Sequence, residues 1–145
     1  MANVELWVYN LGNESTLKLL NAMLGIELEG IWHTSLVVFN EEHYFMGGIR
    51  KSAPGTTPFG SPAKKIDFGS TEITNAQLDA FLSEIDELYT EKTYHIIRNN
   101  CNHFSNSLLK HLVNKEMPAY IMEVAKMFEN TPFESMLTGL APGMP

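Results

Sequence analysis

Asn99-Asn100-Cys101-Asn102-His103-Phe104-Ser105-Asn106 holds the only cysteine of the chain, at the point where an asparagine-rich loop runs into an amphipathic segment. Phe104, Leu108, Leu109 and Leu112 follow at helical spacing, which predicts a helix from near Cys101 to Val113. A lone cysteine forms no internal disulfide. In the first turn of a helix it meets unpaired N–H groups and a partial positive charge, which favour the nucleophilic thiolate. Paired with a histidine from elsewhere in the fold, it would be the nucleophile of a cysteine hydrolase. The competing reading is a small buried hydrophobe. The residues of this stretch alone leave both open.

Outward from that helix the chain alternates strand and helix signals. Val4 to Tyr9 reads as a short strand, and Asn13 or Ser15 can cap a helix through Leu24 that Gly25 closes. Trp32 to Phe39, β-branched and aromatic, is a strong strand. Asn40-Glu41 supplies a turn and Glu42 to Met46 a returning strand that breaks at Gly47-Gly48. Residues 52–62, with three prolines and two glycines, form an irregular loop before an edge strand at Lys65 to Phe68. Thr74 and Gln77 make a capping box for a helix to about Tyr89 with Leu78, Phe81, Leu82, Ile85 and Leu88 on one face. Thr93 to Arg98 reads as a strand leading to the cysteine. A helix starting at Pro118 and another capped by Thr131, with Pro132, Glu134 and a closing Gly139, complete the chain. Strands and helices without regular βαβ alternation indicate an α+β fold.

The 145 residues suit one domain with a core of its own, and 44% hydrophobic with 19% charged residues is ordinary for a globular chain. A net charge of −7 argues against nucleic acid as a partner, since such binding needs a basic face to displace counterions. No apolar run approaches the roughly 18–20 residues of a membrane span. The N-terminus lacks the pattern of a signal peptide, and with one cysteine a reducing compartment is expected, the cytoplasm first and the nucleus as a further candidate.

Five histidines compete as the base. His103 follows Cys101 by two positions, which on a helix turns it about 200° away, and His111 lies about 15 Å along the same axis. His43 and His95 sit on or beside short strands, with nothing to favour either. His33 starts a strong strand beside Trp32, an aromatic able to exclude water, although a half-buried structural histidine fits the same pattern. A zinc site from Cys101, His103, His33 and His111 matches no familiar ligand spacing, so neither metal nor cofactor is expected.

Four blocks occur in order: Glu29-Gly30-Ile31-Trp32-His33-Thr34-Ser35, Tyr44-Phe45-Met46-Gly47-Gly48-Ile49, Gly69-Ser70-Thr71-Glu72-Ile73 and Asn100-Cys101-Asn102-His103-Phe104-Ser105-Asn106. Together with Pro54-Gly55-Thr56 and Gly60-Ser61-Pro62 they resemble the PPPDE family of cysteine isopeptidases, also called DeSI or desumoylating isopeptidases. Met46 and Glu134 depart from glycines common in that pattern, which bears on substrate choice. The resemblance implies a single domain over 1–139 with a tail at 140–145, a papain-like α+β fold of circularly permuted order, His33 as base and Cys101 as nucleophile. It implies SUMO or ubiquitin conjugates as substrates, protein S-acyl thioesters as an alternative, and is compatible with a homodimer. The backbone N–H of Cys101 is then the natural oxyanion donor, with Trp32, Gly47, Gly48 and Asn100 as candidate groove residues. A catalytically silent module that holds the modifier, with Leu137, Leu140 and Met144 as contact residues, is the rival from another class.

Overall fold

The structure, a computed structural model, describes residues 1–129 apart from 13, 26 and 27. The expected helix at 131–139, the tail at 140–145, the contact residues Leu137, Leu140 and Met144, and the cap Asn13 lie outside the described residues. Five strands form one antiparallel sheet: β1 (Ala2–Asn10), β2 (Trp32–Val38), β3 (Glu41–Phe45), β4 (Ile49–Ser52) and β5 (Lys64–Thr71), in the order β4-β3-β2-β1-β5. The helices are α1 (Glu14–Leu24), α2 (Asn75–Ile85), α3 (Cys101–Val113) and α4 (Ala119–Met127). Among the described residues no helix is long and apolar enough to cross a membrane.

Alternation along the strands sorts the side chains into two faces. Val4, Leu6 and Val8 of β1, with Leu36 and Val38 of β2 and Phe45 of β3, meet Leu78, Leu82 and Ile85 of α2 and Phe104, Leu108, Leu109 and Leu112 of α3 in the main core. The opposite face carries Tyr9, His33, Ser35, Glu42 and Tyr44, all buried beneath the loop 53–63. A fully buried carboxylate at Glu42 is held there by hydrogen bonds: Tyr9 Oη and Ser35 Oγ (2.5 Å) donate to its Oε2, and Gly55 N–H donates to Oε1 at 2.9 Å. Glu42 therefore ties the loop to the sheet.

The expected elements stand with corrections: β4 was not expected, Ser15 lies inside α1 rather than capping it, and Pro118 is the N-cap of α4 rather than its first helical residue. The β2–β3 turn is Phe39–Asn40, one residue earlier than expected, because both adopt the left-handed conformation (φ 54° and 57°) whose twist suits a two-residue hairpin. The helix over Asn75 gives way after Ile85 to a single 3-10 turn, Asp86–Leu88, which leaves Leu88 exposed. Thr93 to Arg98 is not a strand. His95 Nδ1 accepts from the N–H groups of Ile97 and Arg98, and Asn99 Nδ2 donates to the carbonyls of Leu88 and Thr93. Side chains thus offer this backbone a coiled alternative to pairing. The capping box of Thr74 and Gln77 and the extent of α3 are as expected.

Candidate active site

Asn100 is the N-cap of α3, so Cys101 is its first helical residue. The Asn100 Oδ1 accepts from the N–H groups of Asn102 (2.9 Å) and His103 (3.3 Å), and His103 Nδ1 accepts from Asn100 N–H at 3.0 Å. His103 is thus spent on a capping box, as its offset from Cys101 requires. The cap claims the second and third N–H of the helix; that of Cys101 faces its own sulfur.

This helix start is docked on β2. Asn102 Nδ2 donates to the Trp32 carbonyl (3.0 Å), Thr34 Oγ1 donates to Asn102 Oδ1 (2.7 Å), and the Thr34 backbone hydrogen-bonds the Cys101 sulfur. The thiol, 1% exposed, has Asn102 Oδ1 as acceptor at 3.7 Å. Cys101 therefore stands against the residue that follows His33. The imidazole itself points to the other face of β2, against Phe59 (centroids 3.8 Å, rings tilted by 33°) and beside Tyr9 (5.6 Å), and neither of its ring nitrogens has a hydrogen-bond partner among the described residues. The structure brings the two chain positions together without a direct hydrogen bond between the side chains.

The electrostatics overturn one sequence expectation. Burial pushes the Cys101 thiol up to about 12, against the lowering effect of hydrogen bonds from Thr34, Asn102 and its own amide. A helix terminus contributes about 0.3–1 kcal/mol, whereas desolvating a thiolate costs several. Burial likewise brings His33 down to about 3. Both groups are held in their neutral forms by burial.

A narrow cleft of about 90 Å³ opens beside the thiol, lined by Trp32, Asn100, Cys101 and Asn102 and by Ile121, Val124 and Phe128 of the α4 region. Gly30 makes room for the Trp32 ring, since a Cβ there would come within 2.7 Å of it. Tyr120 meets Trp32 edge-on at 5.8 Å. Of the candidate groove residues, Trp32 and Asn100 line this cleft. Gly47 and Gly48 do not; they form the β3–β4 turn at φ 65° and 138°, closed by Met46 N–H on the Gly48 carbonyl at 2.9 Å. The remaining histidines have structural surroundings. His43 faces the Leu36 carbonyl at 3.1 Å and His111 stacks on Phe81 at 3.8 Å. Asn102, Thr34, Glu42, Tyr9 and Phe59 were not singled out from sequence; their partners lie far along the chain, and no local pattern announces them.

A family model described as "PPPDE putative peptidase domain" matches residues 2–140. The chain is 40% identical over 139 residues to Desumoylating isopeptidase 1 of Homo sapiens, covering 94% of this chain and 83% of that protein. It is 37% identical over 139 residues to Desumoylating isopeptidase 1 of Xenopus laevis, covering 94% and 82%. DeSI-like protein sdu1 of Schizosaccharomyces pombe is 24% identical over 130 residues, covering 83% and 62%.

Proposed function

The chain belongs to the PPPDE peptidase family, and from that premise we propose that it is a cysteine isopeptidase that releases a ubiquitin-like modifier, SUMO foremost, from conjugated proteins. Cys101 is the nucleophile and His33 the base. The observation that carries the reading is the docking of the Cys101 sulfur on the backbone of Thr34, next to His33, at the floor of an open cleft. The imidazole rests against Phe59 on the other face of β2, so the reaction requires it to turn toward the sulfur when substrate enters; catalytic hydrogen bonds are often unmade in a free enzyme and tighten only around substrate.

His33 takes the thiol proton as sulfur attacks the isopeptide carbonyl, and the Cys101 N–H at the helix start receives the oxyanion. Collapse of the tetrahedral species breaks the C–N bond, and the imidazolium passes its proton to the departing lysine amine. His33 then deprotonates a water that attacks the thioester, and the sulfur leaves with that proton restored. No metal or cofactor enters these steps.

A second reading, protein S-acyl thioesterase, draws support from the apolar wall of the cleft, where Ile31, Ile96, Ile97, Ile121, Val124 and Phe128 stand beside the thiol. A glycine-rich modifier tail does not call for such a wall; an acyl chain does. The test incubates the wild type, Cys101→Ser and His33→Ala with a SUMO conjugate, a ubiquitin conjugate and an S-acylated peptide. Release of SUMO by the wild type alone supports the first reading. Cleavage of only the acyl thioester moves the assignment to the second. Absence of turnover on all three, with SUMO retained on the protein, makes the chain a binding module.

A further inference from the structure

Asn102 is 5% exposed, and its side chain is committed on both sides of the base. Its Nδ2 donates to the carbonyl of Trp32, the residue before His33, at 3.0 Å. Its Oδ1 accepts from the hydroxyl of Thr34, the residue after His33, at 2.7 Å, and from the Cys101 thiol at 3.7 Å. The amide orientation follows from these partners, because a carbonyl oxygen at Trp32 can only accept.

One familiar role for an asparagine at a thiol site is thereby closed to it: it does not orient the base, since neither His33 nitrogen has a hydrogen-bond partner among the described residues. Of its two amide hydrogens, one is engaged by the Trp32 carbonyl. What the side chain does hold is the register between two elements: the first turn of α3, which carries the nucleophile, and the three residues of β2 centred on His33.

We propose that Asn102 is a positioning residue of the catalytic pair, gripping β2 one residue either side of His33 and so setting where the sulfur stands relative to the imidazole. This rests on the Cys101–His33 assignment above. A misplacement of about an ångström at a reacting pair can cost on the order of a hundredfold in rate. Packing alone would hold α3 against the sheet through Phe104 and Leu108. The amide adds the direction along the strand, which apolar contacts specify poorly.

The experiment is a double-mutant cycle read on thiol chemistry, so it does not depend on which conjugate is cleaved. Alkylation of Cys101 by iodoacetamide is followed over a wide pH range for wild type, His33→Ala, Asn102→Ala and the double variant, with the melting temperature of each. The expected result is that His33→Ala displaces the wild-type alkylation profile but leaves that of Asn102→Ala where it was. The rate of SUMO release should fall about tenfold to a hundredfold in Asn102→Ala through kcat, with KM little changed. Thr34→Val, which keeps the Trp32 bond and removes one grip, should weaken the coupling part-way and serves where Asn102→Ala does not fold. An equal displacement by His33→Ala in both backgrounds overturns the proposal, even if turnover falls. Should His33→Ala displace neither profile, the dyad assignment falls and this proposal with it.

Discussion

Thr34 and Asn102, 68 positions apart in the chain, share a buried hydrogen bond of 2.7 Å, and it is here that the strand carrying His33 meets the helix carrying Cys101. The contact settles how a helix N-terminus is used at this site. A first turn left in water would show its N–H groups to solvent; pressed on β2 it gives two to the Asn100 cap and turns the third toward sulfur. The cost is desolvation, which outweighs the helix terminus and keeps the resting thiol protonated. On the proposed mechanism, activation changes the surroundings of both groups, with the cleft beside Trp32 as the substrate's entry.

Replacing Cys101 by serine should lower turnover by roughly a thousandfold or more while the melting temperature stays within a few degrees. The serine hydroxyl is smaller and finds the same Asn102 acceptor, so its burial costs about 1 kcal/mol. Calorimetry beside a gel assay of SUMO release separates the outcomes. A collapse in stability would instead assign Cys101 to the core as a packing residue.

The buried imidazole makes the protein acid-sensitive in a defined window. His33 has its folded pKa depressed from 6.5 to about 3, so between those values the unfolded chain binds the extra proton. The stability this neutral histidine confers is complete above about pH 6.5 and is lost as pH falls toward 3, a change on the order of 4 kcal/mol. Burial also depresses His43 and His103, which act in the same direction. Cys101, raised from 9.0 to about 12, adds an alkaline limb: stability falls as pH rises through that interval. Urea midpoints measured from pH 7 downward should fall less steeply for His33→Ala than for the wild type, whatever their level at neutrality. Equal slopes would mean that water reaches the imidazole in the free protein.

Glu42 predicts a stability effect on the loop above His33. With Tyr9, Ser35 and Gly55 all donating to its carboxylate, Tyr9→Phe leaves a buried acceptor short of a partner and should cost about 1–3 kcal/mol. Glu42→Gln, which faces one or more of those donors with an NH₂ group, should cost at least as much. Limited proteolysis should cut both variants earlier within 53–63 than the wild type. Unchanged cleavage kinetics would show that Phe59, packed against His33, holds the loop without the carboxylate.

How much of this was legible depended on whether the signal was local. The Asn100 cap, the leucine spacing of α3 and the Thr74–Gln77 box each lie within a few residues, and each forms as read. Tyr94-His95-Ile96-Ile97 has strand composition but no partner strand, and side chains of His95 and Asn99 folded it into a turn. The thiol pKa was misjudged for a related reason: the helix terminus is visible in sequence, whereas complete burial depends on α4 and β2 closing around the sulfur. His33 and Cys101 were marked by four ordered blocks that match a family pattern; residue chemistry alone left His33, His43 and His95 in contention. Asn102 and Glu42 act through contacts 68 and 33 positions away, beyond any local pattern.

Asn100 separates a structural from a chemical contribution at the helix start. Its Oδ1 accepts two N–H groups, its Nδ2 donates to the Ile96 carbonyl at 2.7 Å, and its backbone N–H reaches His103. Asn100→Ala removes the first three and should cost about 1–2 kcal/mol, as loss of an N-cap does. Asn100→Asp keeps the acceptor and adds a charge suited to a helix N-terminus, but it loses the Nδ2 donor and turns a carboxylate oxygen on the Ile96 carbonyl, so its stability should fall between those of Asn100→Ala and the wild type. That carboxylate also stands beside the Cys101 sulfur and should disfavour a thiolate there. Asn100→Asp should therefore melt above Asn100→Ala and yet react with iodoacetamide more slowly than it at neutral pH. Reactivity of Asn100→Asp at or above that of Asn100→Ala would place the whole role of Asn100 in the cap.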